Sequence, residues 1–436
     1  MVKTHSTDNV TKLVIEPRII PRSEHNISRS NISENALKVL YRLKNAGYKA
    51  YLVGGSVRDL LLGLKPKDFD VVTDARPEQI RELFRNCRLI GRRFRLAHVR
   101  FGREIIEVST FRAPHHTAEE GHTEDGRIVR DNVYGDIDDD VWRRDFTVNA
   151  LFYNIEDFSI VDYVGGLNDI KTRQLRLIGD PVERYREDPV RMLRAIRFAV
   201  KLGFTLHPAT ERPITELDHL LQDIPSARLF EEFMKLFMSG CALTAYNQLR
   251  RYGLFMHLFP EADQALDKDS GGFIHKLLSN AFKNTDVRLA EDKPVTPGFL
   301  IAALLWSPMI RLAENYKSNG LSEMDADSLA SDAVISRQVK SISMPRRFTQ
   351  MAREIWSLQT RLKHHHGNRP YRLISHPRFR AAYDFLLLRR DAGDNVRELA
   401  DWWTRFLVEN KIQDTDSITS DRETPRRIRR RKRSST

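Results

Sequence analysis

Cysteine is almost absent from this 436-residue chain: only Cys87 and Cys241 occur, far apart and in no C-x-x-C pair. That leaves no basis for a disulfide framework or a cysteine-rich zinc site, and a reducing cytoplasm is the expected compartment. Long apolar runs are missing too. The longest, Gly298 to Trp306 (GFLIAALLW), is too short to span a bilayer and stops at Ser307-Pro308, so it is read as a buried helix. No charged segment followed by an apolar stretch opens the chain, and no secretory signal is expected. An acidic excess is also lacking. The 71 Lys and Arg outnumber the 59 Asp and Glu, giving a formal net charge of +12. Seven of those charges sit in one terminal run, Arg426, Arg427, Arg429, Arg430, Arg431, Lys432 and Arg433, leaving +5 on the rest. Such a run is either a solvated tail or a grip on a polyanion such as RNA.

The stretch that organises the chain is Tyr51 to Thr73, YLVGGSVRDLLLGLKPKDFDVVT. It reads as a strand ending in Gly54-Gly55, a helix from Ser56 to about Leu62, a polar turn, and a second strand carrying Asp68 and Asp70. Side chains two apart on a strand share a face, so the two carboxylates point the same way. Paired glycines at a helix entry let backbone N–H groups approach an anion. Together these features suit a metal-bound polyphosphate, with two polar residues on an outer strand face as the plainer alternative.

Residues 1–32 are polar, aperiodic and read as a flexible arm. Ser33 then caps an amphipathic helix ending at Gly47, and Arg76-Pro77-Glu78 starts another. Three β runs follow, Arg88 to Ile90, Ala97 to Phe101 and Ile105 to Phe111, completing a small α+β domain with a mixed sheet. The loop from Pro114 to Arg130 holds His115, His116 and His122 at irregular spacing, which favours a surface segment over a metal site. Asp136 to Phe152 (DIDDDVWRRDFTVNALF) reads as one helix with Arg143-Arg144-Asp145 inside it. Phe158 to Val164 is hairpin-like, and Leu175 to Ile178 is a further strand. From Pro181 to Val200 the chain is helical and basic, with Pro189 tolerated at a first turn. Beyond Gly203 amphipathic helices dominate to about Val408, while Asn315 to Asp332 and His364-His365-His366-Gly367 read as loops.

If Asp68 and Asp70 hold a divalent metal, phosphoryl or nucleotidyl transfer is the matching chemistry, because hard carboxylates suit Mg²⁺ and leave room for substrate phosphates. A third carboxylate is wanted, and Glu107 and Asp145 are the candidates. Asp145 has a second option, a ribose hydroxyl, while Arg143 or Arg144 steadies phosphates; Arg58 is either a phosphate ligand or a helix cap. Asp188 and Arg191 lie one turn apart with Arg194 beside them. A carboxylate that accepts beside a guanidinium that donates matches the donor-acceptor order of adenine and cytosine, and rejects guanine and uracil. The pair does not separate ATP from CTP, and an ordinary i,i+3 ion pair is its plain alternative.

Three motifs in order, GG-x-VRD-LLLG with DFD, RRDFTVNAL at 143–151 and REDPVRMLRAIRF at 186–198, resemble those of the bacterial-type poly(A) polymerase and tRNA CCA-adding enzyme family, class II of the DNA polymerase beta-like nucleotidyltransferases. The resemblance is dense from about Tyr51 to Phe204. It implies an α+β nucleotidyltransferase head with a mixed sheet, then all-helical neck, body and tail domains. Their expected bounds are 33–180 for the head, 181–240 for a neck with the base-reading helix, 241–410 for an RNA-binding body and tail, and 411–436 for a disordered basic tail. It also implies that Asp68 and Asp70 bind Mg²⁺ or Mn²⁺, that Gly54, Gly55 and Arg58 serve the triphosphate, that Asp188 and Arg191 read the base, and that Asp145 is functional; Arg144 is placed with the nucleotide-binding residues. Leu89 to Val99 (LIGRRFRLAHV), Phe379 to Asp384 (FRAAYD) and the basic tail resemble the poly(A) polymerase branch. The expected activity is adenylyl transfer from ATP to RNA 3′ ends, with an RNA chaperone or RNA-degradation machinery as candidate partners. CCA addition to tRNA is the alternative within the family, and a non-catalytic RNA-binding protein the alternative outside it.

Overall fold

The computed structural model describes residues 16–91, 95–113, 123–124, 127–128 and 133–410. The basic run at 426–433 and the histidines at 115, 116 and 122 lie outside the described residues. Two compact units are present: one built from the chain up to Pro260 with Thr285–Lys293 and Val339–Ser343, the other from Glu261–Asn284, Pro294–Gln338 and the chain from Met344 onward.

The first unit is organised by an eight-stranded sheet. In chain order its strands are β1 (Arg18–Ile20), β2 (Ala50–Val53), β3 (Asp70–Thr73), β4 (Cys87–Ile90), β5 (Leu96–Phe101), β6 (Glu104–Thr110), then, after a separate hairpin of β7 (Thr123–Glu124) and β8 (Arg127–Ile128), β9 (Leu151–Asn154) and β10 (Ile160–Asp162). The spatial order is β1-β10-β9-β2-β3-β6-β5-β4, and only β3 and β6 run parallel. The sheet is therefore mixed, as the sequence predicts. Helix α1 (Glu34–Asn45) begins where Ser33 Oγ accepts from the Ala36 N–H at 3.1 Å, and buries Ala36, Val39, Leu40 and Leu43 at helical spacing. Short α2 (Gly55–Leu61) follows β2, and α3 (Pro77–Leu83) starts on its proline. Val53, Val72, Phe111 and Phe152 pack with Val141 of α4 (Ile137–Arg143) in one core cluster. Asp70, two residues before Val72, shares that face of β3.

Four expectations are corrected. The supposed arm is ordered from its second half: Arg18–Ile20 pairs with Ile160–Asp162 as an edge strand, and Ser28 caps a short turn at Arg29–Asn31. Asp68 precedes its strand rather than lying within it. The single helix at 136–152 is three elements: α4, a 3-10 turn at Thr147–Asn149, and β9. Between them Arg144 is extended (φ −70, ψ 161), the Asp145 carboxylate accepts the Phe146 N–H at 2.8 Å, and Thr147 N–H donates to the Arg176 carbonyl. Local side-chain bonding breaks the helix there, and strand pairing of Leu151–Asn154 wins over its helical spacing. Finally, 315–332 is not a loop. Helices Trp306–Ser318 and Glu323–Ser341 leave only a short connection, and Ala326, Ala330 and Val334 supply a buried stripe whose small side chains gave little apolar signal.

The basic segment after the sheet is two helices, α6 (Pro181–Glu187) and α7 (Val190–Leu202), preceded by α5 (Gly166–Thr172) and broken at Asp188-Pro189. Strands β11 (Gln174–Leu175) and β12 (Thr205–Leu206) pair in parallel, so the strand expected at 175–178 is shorter and continues only as a bridge from Leu177 to Phe146.

The second unit is helical. Pro297–Leu304 is buried nearly throughout, as its apolar run predicts, and accepts at Ala302 O from Trp356 Nε1 at 3.0 Å. Arg346–Leu362, Phe379–Ala392 and Arg397–Glu409 enclose a core of Leu362, Phe379, Tyr383, Leu386 and Trp403. Among the described residues no helix is long and apolar enough to cross a membrane.

Candidate active site

The turn from β2 into α2 depends on glycine. Gly54 has φ +74 and ψ −133, a conformation L residues rarely adopt, and a Cβ there would stand 3.6 Å from Arg144 Nη1. Behind it Arg58 is buried rather than offered to a phosphate. Its guanidinium donates to Asp59 Oδ1 at 2.9 and 2.6 Å and to Asn149 Oδ1 at 2.5 Å, and lies over the Phe198 ring. In this arrangement it fastens α2 to the turn before β9.

On the next strand Asp70 pairs in parallel register with Glu107, which puts both carboxylates on one side of neighbouring strands. Crowding removes hydration from Asp70, and the charges of Glu107 and Asp68 add to this, pushing its pKa up to about 6 against the pull of Arg144. Mutually repelling hard oxygens are what a divalent cation relieves. Among the described residues no group of three or more His, Cys, Asp or Glu is arranged to hold a metal. A cation held here takes the rest of its shell from water and phosphate, as Mg²⁺ commonly does. Asp70 and Glu107, in register, supply hard oxygens suited to such an ion, and Asp68 acts on the charge of Asp70 without the three forming a closed ligand set.

Asp145, the other candidate for third carboxylate, is committed elsewhere. Burial alone would raise its pKa, but the Arg194 guanidinium, which donates two hydrogen bonds to Oδ2, together with Asn149 Nδ2 and the Phe146 N–H, brings it down to about 2. Asn149 thus bridges Asp145 and Arg58.

Beside this lies a cleft of about 390 Å³ whose ten lining residues are all charged, six cations and four carboxylates. Arg143, Arg144, Asp145, Asp188, Arg191 and Arg194 contribute from the motifs, and Arg228 closes one side. The cleft does not reach Asp68 or Asp70 themselves. Arg144 connects the two regions: it lines the cleft, approaches Gly54 and acts on the charge of Asp70. Two bonds from Arg144 to Asp140 Oδ2, at 3.0 and 2.7 Å, hold it in place.

Asp188 and Arg191 line the same cleft without pairing with each other. Asp188 Oδ2 accepts from Arg228 Nη2 at 2.6 Å, while Arg191 Nη1 donates to Glu187 Oε2 at 2.8 Å and to the Arg184 carbonyl at 2.7 Å. Arg184 in turn donates to the Arg144 carbonyl at 2.7 Å, tying α6 to the segment after α4. Arg228 and Asn149 are the participants that sequence reasoning missed. Arg228 sits in helix Ser226–Phe237, forty residues from its partner, with no local pattern to mark it. Asn149 stands inside the quoted RRDFTVNAL motif, where its spacing to Asp145 was the available signal.

Comparison with known proteins agrees with these motifs. The family described as "Poly A polymerase head domain" matches residues 50–176, "Probable RNA and SrmB- binding site of polymerase A" matches 203–266, and "Polymerase A arginine-rich C-terminus" matches 319–436. Poly(A) polymerase I of Salmonella typhimurium is 49% identical over 425 residues, covering 95% of this chain and 91% of that protein. The CCA-adding enzyme of Lactobacillus helveticus is 41% identical over 201 residues, covering 46% of this chain and 49% of that one. The crystal structure of the Bacillus stearothermophilus CCA-adding enzyme in complex with CTP has the same fold, with a TM-score of 0.56 at 24% identity over 86% of this chain and 82% of that one. With near-complete coverage at that identity, the chain belongs to the poly(A) polymerase I family of nucleotidyltransferases.

Proposed function

We propose that this protein is a polynucleotide adenylyltransferase that adds AMP from ATP to RNA 3′ ends in a Mg²⁺-dependent reaction. The observation that carries the choice of adenylyl transfer over CCA addition is coverage: proteins named Poly(A) polymerase I match nearly end to end, whereas the CCA-adding enzyme of Lactobacillus helveticus matches 46% of the chain.

The chemistry forms a bond from the RNA 3′ oxygen to the α-phosphorus of ATP and breaks the bond from that phosphorus to the bridging oxygen, releasing pyrophosphate; the hydroxyl proton passes to solvent. A divalent ion, when bound, lowers the charge barrier between the attacking oxygen and the phosphate. Asp68 and Asp70 would hold it, with Glu107 beside Asp70 in register, and Asp70 is only half charged at about pH 6. Gly54 and Gly55 let the backbone approach the phosphates, with Arg144 as the cation beside them. Asp188 accepts from adenine N6 while Arg191 donates to N1, and Arg228 and Glu187 hold the two side chains. Asp145 keeps Arg194 in the cleft wall through their ion pair rather than joining the metal ligands.

The test is incorporation of labelled ATP, and separately CTP, into an RNA lacking a CCA end. Adenylate runs from ATP with no CTP product support the proposal, and products lengthened by one to three nucleotides that contain C refute it.

A further inference from the structure

The aromatic side chains of the second unit are not all consumed by its core. Trp403 is buried, its Nε1 donating to the Leu362 carbonyl at 3.1 Å. Its neighbour Trp402 is half-buried and stacks on Phe406 one turn later, ring centres 5.0 Å and planes 12° apart. His365 lies against Trp402 at 4.4 Å, with His366 beside it at 4.7 Å. At the other end Tyr371, 53% exposed, meets Phe406 at 5.2 Å and is fixed by its hydroxyl donating to Asn410 Oδ1 at 3.2 Å. Five rings thus form one continuous ladder, and Tyr371 and His366 are open to solvent.

Charge accompanies the ladder. Arg369 and Arg372 share the short helix Arg369–Ile374 with Tyr371, and Arg405 precedes Phe406. All three are exposed, and none of their side chains has an ion pair or hydrogen bond among the described residues. Of the exposed acids of helix Arg397–Glu409, Glu398 and Glu409 lie toward its two ends, and Asp401, beside Trp402, pairs with Arg390 at 3.6 Å. A core that merely needed closing would not surround its outer rings with uncommitted guanidinium groups.

We infer that this ladder is a stacking platform for single-stranded RNA: bases lie on its solvent-open rings, Tyr371 and His366, which the inner rings of Phe406, Trp402 and His365 hold in place, and Arg369, Arg372 and Arg405 take the phosphates. Every base has a π-face, so the grip is independent of sequence. The inference rests on RNA being the acceptor, as proposed above.

Binding of a fluorescein-labelled single-stranded oligo(A) to the full-length protein, without nucleotide or divalent ion, tests it at several salt concentrations. Tyr371→Ala and Trp402→Leu are each expected to weaken binding about tenfold with the salt slope unchanged, as stacking predicts. Tyr371→Phe keeps the affinity. Arg369→Gln and Arg372→Gln each reduce the slope by about 0.7. Oligo(A) quenches tryptophan emission in the parent protein, and Trp402→Leu removes most of that quench. Inorganic polyphosphate binds the parent and the two ring variants alike. Thermal midpoints confirm folding, and exposed Tyr371 is the safer of the two positions. Unchanged RNA affinity in Tyr371→Ala overturns the inference, and so does equal loss in Tyr371→Phe or equal loss for polyphosphate. A change in oligomeric mass with intact RNA affinity makes the ladder a contact between copies and overturns it too. Because no nucleotide is present, failure of adenylyl transfer leaves this result standing, and the reverse also holds.

Discussion

Replacing Asp70 with Asn should stabilise the metal-free protein at neutral pH, an unusual expectation for a residue in an active site. Asp70 stands in register with Glu107 and is raised from 3.8 to about 6 by lost hydration, Glu107 and Asp68. A carboxylate raised in the fold means that the folded state holds the proton more tightly than the unfolded chain. Stability therefore falls as pH rises from about 4 to 6, and the penalty is complete above that window. A rise of about two units corresponds nominally to about 3 kcal/mol. The side chain is open to solvent, so screening reduces this to about 1 kcal/mol. For a unit of this size that is a rise of about 2–4 °C in melting temperature. No hydrogen bond to the Asp70 side chain is present among the described residues, so the Asn variant removes charge and little else. Calorimetry in chelator at about pH 7.5 and about pH 4 measures it. The gain should appear at the higher pH, vanish at the lower, and shrink when Mg²⁺ is added, because the ion stabilises only the parent. A lower melting temperature in chelator, or a difference independent of pH, would refute the repelling-carboxylate picture.

Asp145→Asn should act in the opposite direction. Its pKa is depressed to about 2 by Arg194 and the hydrogen bonds that outweigh burial, so its stabilisation is present above its ordinary value and fades as pH falls toward 2. Asn takes from partly buried Arg194 its hydrogen-bonded carboxylate and leaves only the nearby charges of Glu232 and Asp188, at a cost of about 3 kcal/mol in urea unfolding near neutral pH that narrows in acid. Gly54→Ala forces an alanine to φ +74 and should cost about 1–2 kcal/mol in the same assay through backbone strain, since a Cβ there meets Arg144 Nη1 only at an ordinary 3.6 Å, and Ala at Gly47, also at positive φ, should cost a similar amount.

The turn at Gly54 and the strand that carries Asp70 were legible because their signals are local. Gly54-Gly55, the DFD spacing and the β-branched run at 70–73 each act within a few residues, and strand register then brings Glu107 to Asp70. Asp145 was harder. Its surroundings have helical spacing, but the carboxylate bonds the next backbone N–H and the chain turns into a central strand, which only the sheet as a whole decides. Arg228 was invisible because nothing near it in sequence distinguishes a surface arginine from one that reaches Asp188. In the second unit Ala326 and Ala330 hid a helix by being small. The ladder was invisible for a similar reason, since His365, Tyr371 and Trp402 lie on three segments that meet only in the fold.

The most direct measurement is nucleotide choice by the purified full-length protein on an RNA without a CCA end, in Mg²⁺, with Asp70→Asn run alongside. ATP should give long adenylate products, CTP none, and the variant neither. Incorporation of C, or undiminished adenylate addition by the variant, would contradict the account.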